Sequence, residues 1–269
     1  MQQAIAILDS GVGGLTVVKE VLRQLPQEKI LYFGDTARSP YGSRPPEEVR
    51  RFTAQIVDYF NQFNPKMIVI ACNTATAFAI EDIRAKVSVP VIGVISPGVR
   101  AAIKASRSGN VGVIGTEGTI RSEAYERALK KISPNIQVYS QACPLLAPLV
   151  ERGLFDGDEA LQIVEQSLAP LIENALDCLI LGCTHYPFLV GPISKVMGPK
   201  VRLISSAEET AREISTILYH RGMLASTGVI PLHQFFCSGE PELFKRIAQI
   251  WLNEHISSTP IVWQVPNII

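Results

Sequence analysis

The chain has 269 residues, 47% apolar and 19% charged, enough to bury sizeable cores and unlike a disordered polypeptide. Its 25 lysines and arginines balance its 25 aspartates and glutamates, with no basic run, which argues against nucleic acid as a partner. No apolar stretch reaches membrane-spanning length and the polar start Met1-Gln2-Gln3 leads directly into a strand, so a cytoplasmic protein with no membrane partner is expected.

Apolar runs predict strands over 4–8, 30–33, 67–70 and 89–92 in the first half of the chain. A second series occupies 111–114, 136–139, 178–181 and 201–204. Helical periodicity fills segments such as 15–25, 46–63 and 161–175 between them. Strand–helix alternation of this kind predicts an α/β protein with parallel sheets covered on both faces.

The two series run in register: Asp9 to Thr116 is an offset of 107 and Cys72 to Cys183 an offset of 111. The pattern predicts two pseudo-symmetric, doubly wound parallel-sheet units with the active site in the cleft between them. After a helix over 207–221, the tail predicts a strand, a helix and a strand (233–236, 241–251 and 261–265) that rejoin the first unit. Residues 1–97 with 207–269 thus make one α/β domain and 98–206 the other, crossing near Ser96-Pro97-Gly98.

Five cysteines, at 72, 143, 178, 183 and 237, form an odd set without a CxxC pair, so free thiols are expected. Cys178 and Cys183 match no common zinc spacing and the four histidines lie far apart, so no metal centre is expected. Ala71-Cys72-Asn73-Thr74 and Gly182-Cys183-Thr184-His185 share one design: a buried strand, a small residue, a thiol, then polar side chains. Each thiol is placed where a strand turns into a helix, beside free backbone N–H groups that favour an anion such as a carboxylate. A single thiol there is commonly a core residue. Two in register are placed to face one small molecule.

Asp9-Ser10-Gly11-Val12-Gly13-Gly14 comes after the first strand, but its spacing is neither a dinucleotide fingerprint nor a P-loop. Asp9 is either a helix N-cap or an acid beside Cys72, and His185 holds the matching place beside Cys183. The polar segment Asp35-Thr36-Ala37-Arg38-Ser39-Pro40-Tyr41-Gly42 is either a surface connection or a loop over the cleft. Thr116 and Thr119 read as helix caps or as donors to a carboxylate, and Glu151 as a helix-end acid or a solvated charge. Two opposed thiols can remove a proton from one face of a carbon and return one to the other, which inverts a stereocentre. No cofactor site is evident, so preorganised donors in a dry cleft would have to stabilise the carbanion.

The blocks Leu8 to Thr16, Asp35 to Gly42, Ala71 to Thr76 and Leu181 to Pro187, in this order, resemble those of the bacterial glutamate racemases, over essentially the whole chain. The resemblance implies cofactor-independent interconversion of L- and D-glutamate, supplying D-glutamate for peptidoglycan, by a homodimer. It assigns the proton of D-glutamate to Cys72 and that of L-glutamate to Cys183, with Asp9 and His185 as their helpers and Glu151 as a further acid. Ser10, Tyr41, Gly42, Asn73, Thr74, Thr116, Thr119, Thr184 and His185, with Asp9, match substrate-contact positions. A racemase for aspartate or another acidic amino acid, or a non-catalytic small-molecule binding protein, are the rival readings.

Overall fold

A computed structural model describes residues 3–226, 228, 230–256 and 261–266. The first stretch runs β1 (Ile5–Asp9), α1 (Leu15–Gln24), β2 (Ile30–Gly34), α2 (Pro46–Asn61), β3 (Met67–Ile70), α3 (Asn73–Lys86) and β4 (Val91–Gly93). Then α4 (Ile95–Ala105) leads to β5 (Asn110–Gly115), α5 (Glu117–Arg121), α6 (Ala124–Ile132), β6 (Gln137–Ala142), α7 (Leu146–Glu151) and α8 (Asp158–Ile172). Next come β7 (Cys178–Gly182), a 3-10 turn (Tyr186–Leu189), α9 (Val190–Met197) and β8 (Arg202–Ser205). Finally α10 (Ser206–His220) returns the chain to β9 (His233–Cys237), α11 (Pro241–Ile256) and β10 (Ile261–Gln264).

All pairings are parallel, in a six-stranded sheet ordered β10-β9-β2-β1-β3-β4 and a four-stranded sheet ordered β6-β5-β7-β8. The order β2-β1-β3-β4 repeats as β6-β5-β7-β8, so β3 and β7, the strands that deliver Cys72 and Cys183, occupy equivalent places. In both sheets the order reverses beside these strands, at the switch point where open α/β sheets leave a crevice. The central strands β1, β2, β3 and β7 are buried along their whole length, which is why they read as unbroken apolar runs. The expected tail strands join the first sheet, with β9 against β2 and β10 against β9. One apolar cluster runs without a break from Ile7 and Val18 through Leu146 and Leu179 to Ala211, so both sheets share a core.

The differences from expectation have local causes. β4 starts at Val91 rather than at residue 89, because Pro90 has no N–H to give the ladder and contributes only its carbonyl, to Ile68. Strand β6 is an edge with half-exposed residues, so its apolar signal fades before its pairing ends at Ala142. α8 begins at Asp158, a turn before its periodic apolar residues, where Asp158 and Glu159 favour a helix N-terminus. The crossing at Ser96-Pro97-Gly98 is the first turn of α4, a position where proline is tolerated, and not a linker.

His233 at the start of β9 is buried, and its Nδ1 accepts the Ile30 N–H at 3.1 Å. Burial, with the nearby Lys29 charge, lowers this imidazole to about 4. Above the unfolded value both states are neutral; as pH falls below it, the unfolded chain takes up a proton that the folded chain refuses. Stability is therefore expected to drop by about 3 kcal/mol between pH 6.5 and 4. Urea unfolding across that range should show the loss, and His233→Asn should flatten it.

Candidate active site

Asp9 ends β1 and is fully buried. Its Oδ1 accepts the Gly11 N–H at 3.0 Å, and its Oδ2 accepts the Thr184 hydroxyl at 3.3 Å from the opposite sheet's loop. The cap of α1 is Gly14, so Asp9 is not that helix's N-cap. Burial raises the Asp9 carboxyl, against the opposing pull of His185, the Gly11 and Gly14 amides and Thr184.

Cys72 is itself the N-cap of α3, its sulfur accepting the Ala75 N–H at 3.4 Å. Burial and then the Asp9 charge push this thiol up to about 12, while the Ala75 amide and the Ser10 hydroxyl pull the other way. Together these influences favour the neutral thiol, the form that gives a proton when the substrate is deprotonated from the other face. The charge on Cys183 also raises it, which places the two sulfurs within electrostatic reach of each other.

The second thiol is built differently. Cys183 Sγ lies 3.7 Å from His185 Nδ1, and His185 Nε2 lies 3.3 Å from Glu151 Oε1. The latter is an ion-pair approach without hydrogen-bond alignment, which leaves Nε2 buried and unbonded. Burial opposes charge on this ring, but Cys183, Glu151 and Asp9 together outweigh it and raise His185 to about 10. Glu151 ends α7 on the rim, partly exposed, and reaches inward to the imidazole. The expected helix start directly after Cys183 is absent: Thr184 and His185 form a turn, which leads into the 3-10 turn with Pro187 in its first positions. Cys72 thus has a helix N-terminus and Cys183 has an imidazole.

A triangle of hydroxyls joins the two sides. Thr74 Oγ1 is 2.9 Å from Thr116 Oγ1 and 3.1 Å from Thr119 Oγ1, which are themselves 3.1 Å apart. Thr116 also caps α5 through the Thr119 N–H, so its capping and site positions coincide. Asn73 Oδ1 accepts the Tyr125 hydroxyl at 2.6 Å, and its Nδ2 is buried with no partner among the described residues.

The 35–42 loop does close over the cleft: the Gly42 carbonyl accepts the Gly118 N–H at 2.7 Å. The Tyr41 side chain, however, is turned away into a bond with Asp35, so only its backbone is left to meet a ligand. Asp35 also accepts from Arg38 Nε at 2.7 Å and from the Ser238 hydroxyl at 2.6 Å, which makes it the knot that shapes this loop. Local spacing gives Asp35, Arg38 and Tyr125 no individual part in the site: Asp35 and Arg38 bond to each other within the loop but are anchored by Ser238 and Gln55 outside it, and Tyr125 meets Asn73 from another element.

Both thiols are almost closed off, at 6% and 7% exposure. A 290 Å³ cavity lined by Gly11, Ser39, Glu151, Glu240 and Phe244 opens at Glu151, the partner of His185, and neither thiol lines it. Larger hollows of 390 and 420 Å³ contain neither thiol, since a site closed around its reacting groups leaves little open space. The two sides also close on each other at Gly13, where a Cβ would collide with Thr184 Oγ1 and stand 2.7 Å from His185 Nδ1. Gly13→Ala is expected to lower kcat/KM by about 10²-fold by displacing His185, with a small change in melting temperature. Steady-state kinetics beside a thermal melt would check it.

Comparison with known proteins agrees with this geometry. The Asp/Glu/hydantoin racemase family model matches residues 8–214. A glutamate racemase of Oceanobacillus iheyensis is 53% identical over 255 residues, 94% of this chain and 93% of that protein. The crystal structure of a glutamate racemase isoform from Bacillus anthracis superposes with a TM-score of 0.93 at 49% identity, covering 98% of this chain and 97% of that one. That of the Francisella tularensis glutamate racemase in complex with D-glutamate gives 0.91 at 33% identity, covering 99% and 98%. The chain belongs to the Asp/Glu/hydantoin racemase family, among its glutamate racemases.

Proposed function

We propose that the protein interconverts L- and D-glutamate by passing the α-proton through two thiols on opposite faces of the substrate. The observation that carries this is the pair itself: two buried cysteines at equivalent strand ends, within electrostatic reach, each with its own ionisable neighbour. A thiolate on one face takes the α-proton, leaving the C–H electron pair on the carbon and its carboxylate. The thiol on the other face then gives its proton to that carbon, so atoms and charge balance and only configuration changes. Cys183 with His185 and Glu151 serves L-glutamate; Cys72 with Asp9 and Ser10 serves D-glutamate. Asn73, the hydroxyls of Thr74, Thr116, Thr119 and Thr184, and the backbone of Tyr41 and Gly42 hold the substrate's charged groups. The D-glutamate complex of the Francisella relative supports glutamate as the amino acid that fits this site.

The product would feed peptidoglycan synthesis in the cytoplasm, a compartment in keeping with five buried free cysteines. Among the described residues no helix is long and apolar enough to cross a membrane. A homodimer is the expected assembly. The test is to incubate the purified protein with L-glutamate alone and follow optical rotation, with aspartate in parallel. Decay to zero rotation with glutamate supports the reading. Decay with aspartate only would move the chain to another substrate, and saturable binding with no decay would make it a binding protein.

A further inference from the structure

Tyr125, near the start of α6, is buried between the two strand ends. Its ring packs on Gly182, where a Cβ would come within 3.1 Å of Cε2, and on Gly98, where a Cβ would stand 3.6 Å from Cε1. Its hydroxyl donates to Asn73 Oδ1 at 2.6 Å. Gly182 precedes Cys183 and Asn73 comes directly after Cys72, so one side chain touches both thiol platforms. The hydroxyl is the donor in its bond to Asn73, because an amide oxygen only accepts, and Ser206, the first residue of α10, packs against Gly98 beside the same ring.

This arrangement fixes which way the Asn73 amide faces. Its oxygen is committed to Tyr125, and its nitrogen is buried with no partner among the described residues. A buried donor left unpaired is unfavourable, and one held in place beside Cys72 is ready for an acceptor.

We propose that Tyr125 is a positioning residue: its hydroxyl holds the Asn73 amide so that the NH₂ group meets an anionic oxygen of the substrate, while its ring spaces the Cys183 strand end. The identity of that acceptor rests on the glutamate racemase reading; the locked amide does not.

The experiment compares wild type, Tyr125→Phe, Asn73→Ala, the double variant and Asn73→Asp in racemisation of L- and D-glutamate, with a thermal melt of each. Tyr125→Phe should raise KM for both enantiomers about tenfold and change kcat less than about threefold, the effect of one misplaced hydrogen bond. In the Asn73→Ala background the same change should add no further rise in KM. An unchanged KM, or a rise that persists in full without Asn73, would overturn the proposal. Asn73→Asp gives a result even if Tyr125→Phe fails to fold, because its carboxylate still accepts from Tyr125 but offers no N–H. It should raise KM at least about tenfold, and a wild-type KM would overturn the proposal. A wild-type protein inert towards glutamate defeats the functional reading instead, whereas an active wild type with an unshifted Tyr125→Phe defeats Tyr125 alone.

Discussion

Cys72→Ala is expected to lower racemisation of glutamate about 10³-fold or more, and Cys183→Ala to do the same, because each thiol is proposed to carry the proton for one face. Both changes remove one buried sulfur and leave the backbone of β3, β7 and α3 intact, so the fold should survive. The variants should differ on a substrate that needs only one deprotonation. With a glutamate carrying chloride on its β-carbon, loss of the α-proton expels chloride and no reprotonation is required. Cys72→Ala should still eliminate chloride from the L-configured compound and fail on the D-configured one. Cys183→Ala should show the reverse. Equal loss on both compounds in either variant would mean that the thiols do not act as separate one-face bases. Chloride release, measured for each configuration, decides it.

The second large effect concerns the neighbours of the thiols. L- and D-glutamate are mirror images of equal free energy, so kcat/KM must fall by the same factor in both directions in any variant. Racemisation alone therefore cannot assign a helper to a face, and the elimination reaction can. His185→Asn should slow elimination from the L-configured compound about 10²-fold and leave the D-configured one within about threefold; Asp9→Asn should do the opposite. The pH dependence carries the same information. His185, raised to about 10 by Cys183, Glu151 and Asp9 against the effect of burial, is protonated below that pH and neutral above it. The wild-type kcat should decline as pH rises through this region, and His185→Asn should lack that limb. Asp9→Asn removes a negative charge that favours the imidazolium, so it should move the limb to lower pH. The two sides are thus electrostatically linked, and the Thr184 hydroxyl on Asp9 Oδ2 is a direct bond between them.

Much of this site can be read from the chain because strand ends are local. An apolar run that stops at Gly182-Cys183 or Ala71-Cys72 announces a buried strand with a thiol at its edge, and the repeated sheet order puts the two edges in equivalent places. The tail joins the first sheet as expected, with β9 completing the ladder on the open side of β2. The segment after each thiol is harder to read. The local pattern after Cys183 resembles a helix start, yet the chain turns and then makes a 3-10 turn at Tyr186–Leu189. By chain position Asp9 is a partner for Cys72 alone, but it bonds across the cleft to Thr184, 175 residues away. Tyr125 meets Asn73 over 52 residues and Ser238 meets Asp35 over 203, and no local spacing signals either pair. The trace that does exist is the small residue before each thiol: glycine at 182 leaves room for the Ile114 carbonyl and then the Tyr125 ring, where alanine suffices at 71.

Two thiols, each exchanging its proton with water, are proposed to act from opposite faces of one carbon. Racemisation started in deuterated water from unlabelled L-glutamate, and separately from D-glutamate, tests this by mass spectrometry of both enantiomers at early times. With one base on each face, the product carries deuterium at the α-carbon from the first turnovers while the remaining substrate stays unlabelled, in both directions. Deuterium appearing in recovered substrate as fast as in product, or product retaining the original proton, would show one base working on both faces and would contradict the two-thiol mechanism.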